Sequence, residues 1–349
     1  MRHLLLIAGL LLTPAWSQKT QTEAPKKSEQ ALEFEALLDC KTEKPTELFR
    51  VTRVVDGDTL WIDRYGKQEK LRLLSVDTEE KFVPGNQYSD TKPYTWFGNE
   101  CAAWTRGFFA PRNPDQEEVL VGLSFPQNIE ARDVYGRLLC HVVTEEGIDF
   151  NLLLVRRGMS PYFNKYGNSR ICHERFLAAQ KKARAAGLGI WNPQAHPDGN
   201  HRPYDRLLPW WNVRAQAVED FRVKSTAEPL RFVNSEEPEA LEAALKNGPS
   251  RITTLGIIDK IFDEEDGSKT VLMRSGDRKR SLRIVVAKGD WPAMEKADLL
   301  GSMEEFRQNY LLVDGTLETG PRGFYLTGTH PADWRRAGPE PAEPQATGK

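Results

Sequence analysis

The chain is poor in net charge, in long apolar runs and in cysteine, and each shortage excludes something. Among its 349 residues, 48 Lys and Arg nearly cancel 50 Asp and Glu, leaving a formal net charge of -2. That balance excludes a polybasic nucleic-acid coat and an acidic tail protein, so any attraction to a polyanion must be local. No segment beyond the N-terminal residues approaches the roughly 20 apolar residues of a membrane helix, and no stable membrane insertion is expected. Cysteine occurs four times, as Cys40, Cys101, Cys140 and Cys172, with no Cys-x-x-Cys spacing. Two disulfides are therefore expected in preference to a metal site, with three connectivities open.

What is present begins with MRHLLLIAGLLLTPAWSQ: a basic start at Arg2 and His3, an apolar core from Leu4 to Leu12, and Ala15-Trp16-Ser17 before Gln18. This is the pattern of a secretory signal peptide over 1–17, which predicts an exported protein, periplasmic or secreted. Residues 18–47 are polar and predict a flexible lead-in with a short helix around Ala31 to Leu38. Alternating apolar and polar residues separated by turn signals, interleaved with helical periodicity, predict a small closed barrel of the OB type over 48–192. The stretch NPQAHPDGNHRPYDRLLPWWN predicts a linker over 193–220. Strands, a helix and a closing hairpin predict a second OB-like barrel over 221–336, before a disordered tail at 337–349. The fold class expected is mainly β with helices: two barrels in succession.

The chemistry concentrates in three fragments: VVDGDTLWI (54–62), LRLLSVDTEE (71–80) and ARDVYGRLL (131–139). Asp58 lies just past a tight turn, and Asp77 follows a buried strand; the two carboxylates converge if their strands pair. Such a pair needs compensation, and with only oxygen ligands nearby a bound cation of the calcium or magnesium class is the economical solution. Arg72 precedes Asp77 by five residues, so strand alternation alone does not place it on the same face.

Together, in this order and spacing, the fragments resemble the staphylococcal nuclease (thermonuclease) family over about residues 51–191. The resemblance implies an OB-barrel nuclease, an endonuclease-type phosphodiesterase acting on DNA and/or RNA with Ca2+ as cofactor. By that resemblance Asp58 and Asp77 ligate calcium through carboxylates and Thr78 through its backbone carbonyl. Glu80 orients or deprotonates the attacking water, and Arg72 and Arg137 grip the phosphate. Tyr135 resembles the tyrosine near the nucleotide phosphate, and Tyr166 an aromatic packed against the base. The chain departs from the family pattern at Glu79, where proline usually separates threonine from glutamate; Glu79 is read as a solvated turn residue. A longer loop at 81–96 follows Glu80, placed to shape access to the cleft. The barrel fold favours disulfides Cys40–Cys172 and Cys101–Cys140.

The second half repeats no such constellation. The acidic run Asp263 to Asp266 is read as a solvated hairpin tip. The basic residues Arg274, Arg278, Lys279, Arg280 and Arg283, with Phe324 and Tyr325, suggest a face for single-stranded nucleic acid, although the module's partner is not specified by sequence. The competing reading of the whole chain is a non-catalytic nucleic-acid- or protein-binding protein on a nuclease-like scaffold.

Overall fold

The computed structural model describes residues 29–89, 91–111, 118–133, 135–275, 277–296 and 310–338. The expected signal peptide and the expected tail beyond residue 338 lie outside these.

After α1 (Glu29–Asp39), strands β1 (Phe49–Val54), β2 (Thr59–Arg64) and β3 (Lys67–Leu73) form an antiparallel meander. Helix α2 (Trp96–Phe108) follows, capped by Thr95, whose hydroxyl accepts the Gly98 N–H. Strand β4 (Leu120–Ser124), the short β5 (Ala131–Arg132) and β6 (Leu138–Thr144) complete the sheet, and α3 (Phe150–Arg156) and α4 (His173–Ala185) pack beside it. β1 pairs with β4, β4 with β6, and β6 with β3 in parallel register, so five strands close on themselves. Leu60, Ile62, Leu71, Leu73, Leu138 and Val142 fill this barrel, each essentially without exposure. They alternate with outward-facing residues, as the pleat requires.

The expected linker is corrected by a 24-residue helix, α5 (Tyr204–Ala227). Its Leu207, Trp210 and Trp211 are wholly buried in the core of the first barrel, while Val218 and Phe221 pack on Leu255 and Ile257 of the second. Pro209 lies inside this helix. Burial of two tryptophans at roughly 3–5 kcal/mol each outweighs the local penalty of a proline.

The second half contains β7 (Phe232–Asn234), α6 (Pro238–Asn247), β8 (Arg251–Gly256), β9 (Ile258–Asp263), β10 (Lys269–Met273), β11 (Leu282–Val286), α7 (Trp291–Lys296), β12 (Leu311–Gly320), β13 (Gly323–Thr327) and β14 (Trp334–Arg336). Only Ile257 separates β8 from β9, making them halves of one bent strand. Taken as one, they pair with β10 and β12; β10 pairs with β11, β11 with β13 in parallel, and β13 with β12. This is the pairing order of the first barrel, including its single parallel contact, and it is the OB arrangement.

Candidate active site

The site is assembled where the β1–β2 turn meets the segment after β3. In Asp56-Gly57-Asp58 the Asp56 carboxylate accepts the Asp58 N–H at 3.2 Å, a side-chain turn that short acidic residues favour. Glycine is required between them because the backbone passes close to α2: a Cβ at Gly57 would stand 2.6 Å from Cys101 Sγ and from the Thr78 methyl. Asp58 Oδ2 accepts the Thr78 N–H at 2.9 Å, which locks the turn to the acidic segment. Asp77 is fixed from the other side, its N–H donating to Ser160 Oγ at 2.9 Å.

Arg72 bridges the two aspartates. One arm of its guanidinium pairs with Asp58 and the other lies 2.6 Å from Asp77 Oδ1. Strand alternation did not decide this contact because β3 ends at Leu73, and Ser75, at φ 63°, turns the chain before Asp77. Asp58 and Asp77 are 4% and 1% exposed, so the bridge is shielded from water.

Two further cations converge on Asp77. Lys92, from the loop after Glu80, places Nζ 2.8 Å from Asp77 Oδ1 and 3.6 Å from Glu80 Oε1. Arg202, buried just before α5, lies 3.0 Å from Asp77 Oδ2 and donates to the carbonyls of Asp77 and Thr91. The Arg202–Oδ2 contact is an ion pair between two buried groups. Burial pushes the Asp77 carboxyl up, but the charges of Lys92, Arg202 and Arg72 prevail and hold it well below the usual carboxylate range. Neighbouring acids shift the opposite way. Asp56 is pushed up to about 7, by burial and then by the charge of Asp58. Glu80 is raised by burial, with Lys92 opposing. Neither Lys92, Arg202 nor Asp56 stood among the expected site residues. Lys92 lies in the loop expected to shape the cleft, whereas nothing local distinguishes Arg202, which acts 125 residues from its partner.

The two glutamates have distinct places. Glu79, expected in solvent, is instead 2% exposed: Thr95 Oγ1 donates to its Oε2, and His196 Nδ1 stands 3.8 Å away. The same threonine caps α2, so a helix start is tied to Glu79. Glu80 points to the opposite side, its side chain 41% exposed beside Lys92. Gly98 lets α2 lie against this segment, since a Cβ there would fall 2.2 Å from the Glu80 carbonyl oxygen.

Other expected residues stand apart from the acids. Arg137 Nε donates to Asp133 Oδ2 at 2.6 Å, and its guanidinium lies 5.4 Å from the ring of Tyr135, which is 78% exposed. It leads into β6 beside β3, one strand from Arg72, and is paired with Asp133 rather than with Asp58 or Asp77. Tyr166 is engaged by the second barrel: its hydroxyl accepts from Arg274 Nη1 at 3.1 Å, and that guanidinium lies 4.9 Å from its ring. The expected basic face is partly spent in the same way. Arg280 pairs with Glu239 and Glu242, and Arg283 donates to the backbone of Ser281 and Arg322. The side chain of Arg278 lies outside the described residues.

The expected disulfides are absent: all four cysteines are free. Cys101 Sγ points towards the Asp56–Asp58 turn and the Met159 carbonyl, while Cys140 is sealed in the barrel core on β6. Cys40 follows α1, with its carbonyl taken by the Asp149 N–H, and Cys172 stands at the start of α4.

Comparison with known proteins gives this geometry a context. A family model described as staphylococcal nuclease homologue matches residues 70–193. The thermonuclease of Staphylococcus intermedius is 33% identical over 150 residues, 42% of this chain and 76% of that protein. The chain belongs to the staphylococcal nuclease family. The thermonuclease of Staphylococcus hyicus is 30% identical over 146 residues, again 76% of its length. Endonuclease YhcR of Bacillus subtilis (strain 168) is 34% identical over 145 residues, but these span only 11% of that protein. In this member of the staphylococcal nuclease family, Arg202, α5 and the second barrel lie beyond the residues that the family model covers. Among the described residues no helix is long and apolar enough to cross a membrane.

Proposed function

We propose that the chain is an exported, calcium-dependent nuclease that hydrolyses phosphodiester bonds of DNA, RNA or both. One observation carries the reading: in a member of this family, Arg72 joins the carboxylates of Asp58 and Asp77 at a shielded site with Glu80 at its rim. The donor set fits a hard divalent cation. It offers oxygen ligands alone, the carboxylates of Asp58 and Asp77 held together by Arg72 with Glu80 beside them. Asp58, Asp77 and the Thr78 carbonyl would hold the ion, which when bound polarises a phosphate oxygen and makes water a better nucleophile.

The chain's own residues supply the rest. Glu80, at the rim of the site beside Lys92, accepts the proton of the attacking water. Arg72 fixes the separation of the aspartates and contributes a charge that never titrates. Arg137, oriented by Asp133, offers a second guanidinium to a phosphate that gains negative charge in the transition state. The exposed ring of Tyr135 offers a stacking face that tolerates any base. Export rests on the N-terminal pattern.

A binding protein without turnover is the second reading, favoured by one feature: Asp77 already has three cationic partners. Degradation of single-stranded DNA separates the two. Cleavage with calcium that is lost on chelation and in Glu80→Gln is expected; a purified wild type that binds but does not cut supports the alternative.

A further inference from the structure

Away from the acidic cleft, three side chains from three elements form a compact donor set. His141 sits on β6, Asp149 caps α3 and Cys172 stands at the start of α4; one donor atom from each lies within 4.8 Å of the other two. Among the described residues this is the one grouping of three His, Cys, Asp or Glu donors so close. We propose that it binds a transition-metal ion of the zinc class, at a site independent of the nuclease chemistry.

Each donor is prepared in a different way. Asp149 uses Oδ1 to accept the Leu152 N–H at 3.0 Å, which leaves Oδ2 facing His141 Nδ1 at 2.8 Å. His141 is 1% exposed, and its Nε2 has no hydrogen-bond partner, an unusual state for a buried ring nitrogen. Cys172 occupies the N-cap position of α4 without capping it through its side chain, so its sulfur is not committed to the helix. A bound ion would displace the thiol proton of Cys172. Arg175, the nearby cation, is directed elsewhere, donating to the carbonyls of Asp39 and Lys41. Thiolate and carboxylate together neutralise a divalent charge, and the mixture of sulfur, nitrogen and oxygen selects zinc-class ions over calcium. An adjoining cavity of about 390 Å3, lined by Thr42, Asp149, Cys172, His173, Glu174 and Arg175, leaves room for water as a fourth ligand. Such an ion would pin the starts of α3 and α4 to the barrel wall. Cys40 is not a member of the set, and a Cys40–Cys172 disulfide would exclude the metal by consuming its thiolate.

The test uses the full chain, chemically reduced under anaerobic conditions, with Co2+ and Zn2+ as probes. One equivalent of Co2+ is expected to give a thiolate-to-cobalt charge-transfer band that Zn2+ abolishes, and Zn2+ is expected to raise Tm. Both signals persist in Cys40→Ser and vanish in Cys172→Ser. Should Cys172→Ser not fold, alkylation of wild type mapped by mass spectrometry replaces it, with Zn2+ expected to protect Cys172. Absence of the band, its survival in Cys172→Ser, or unprotected Cys172 overturns the proposal. Nuclease activity enters none of these readouts.

Discussion

Lys92→Met tests whether the ammonium on Asp77 competes with a divalent cation. Lys92 Nζ lies 2.8 Å from an Asp77 oxygen that is almost without exposure, and 3.6 Å from Glu80. A hydrogen bond to a charged group in such a setting contributes about 1.5–3 kcal/mol. An ion that takes the same oxygen must displace the ammonium and so forfeits that amount. Methionine keeps the unbranched stem and removes the charge, while Arg72 and Arg202 continue to hold Asp77. At about 1.4 kcal/mol per decade, the half-saturating calcium concentration is expected to fall roughly ten- to a hundredfold. The assay is cleavage of a single-stranded oligonucleotide in chelator-buffered calcium, with the midpoint read separately from the plateau rate and checked by calorimetry. Loss of a phosphate contact from Lys92 would lower the plateau without moving the midpoint. A midpoint that stays in place, or moves to higher calcium, refutes the competition.

Asp56, raised to about 7, binds a proton in the folded chain that the unfolded chain has already released above about pH 4, so rising pH costs stability between those values. Asp56→Asn is expected to stabilise the chain at pH 8 and leave it nearly unchanged at pH 4, compared by urea denaturation without divalent ions. Glu79→Gln weakens the Thr95 contact at the start of α2 and is expected to lower stability by about 1.5–3 kcal/mol while retaining cleavage, whereas Glu80→Gln keeps its Tm and loses cleavage. Trp210→Ala opens a cavity where α5 meets the first barrel and is expected to cost about 3–5 kcal/mol by the same denaturation assay. An unchanged midpoint would show that α5 does not belong to that core.

Asp56 was not singled out, whereas Asp58 and Asp77 were legible because their places after a turn and at a strand end are local information. Which of two adjacent glutamates faces inward was not, since neighbours in extended backbone point to opposite sides and the choice depends on Thr95, 16 residues on. The barrels were legible from alternation, whereas their common pairing order is seen only in the structure. The helix at 204–227 was hidden because Pro, Gly, Asn and His before it, and Pro209 within it, are loop signals; tertiary burial of Trp210 and Trp211 overrides them. Cysteine number and spacing suggested disulfides, yet they carry no information on where each sulfur points. That direction places Cys172 with His141 and Asp149.

Part of the electrostatics of the cleft comes from beyond the residues that the family model covers. Asp56, Asp58, Asp77 and Glu80 bring four carboxylates together, and Arg72 is the one cation supplied by the strands that carry them. Lys92 comes from the loop after Glu80, and Arg202 from beyond residue 193, anchored by α5 and by ring contacts with Tyr204 and Trp211. With both present, the site is close to neutral and can remain shielded without an ion. Without them, three uncompensated charges would have to be protonated, hydrated or met by metal. Lys92 and Arg202 therefore let the buried carboxylates stay ordered by charge pairing within the chain. Because Arg202 is positioned by the same helix that joins the two barrels, the packing of the second half bears directly on the charge of the first.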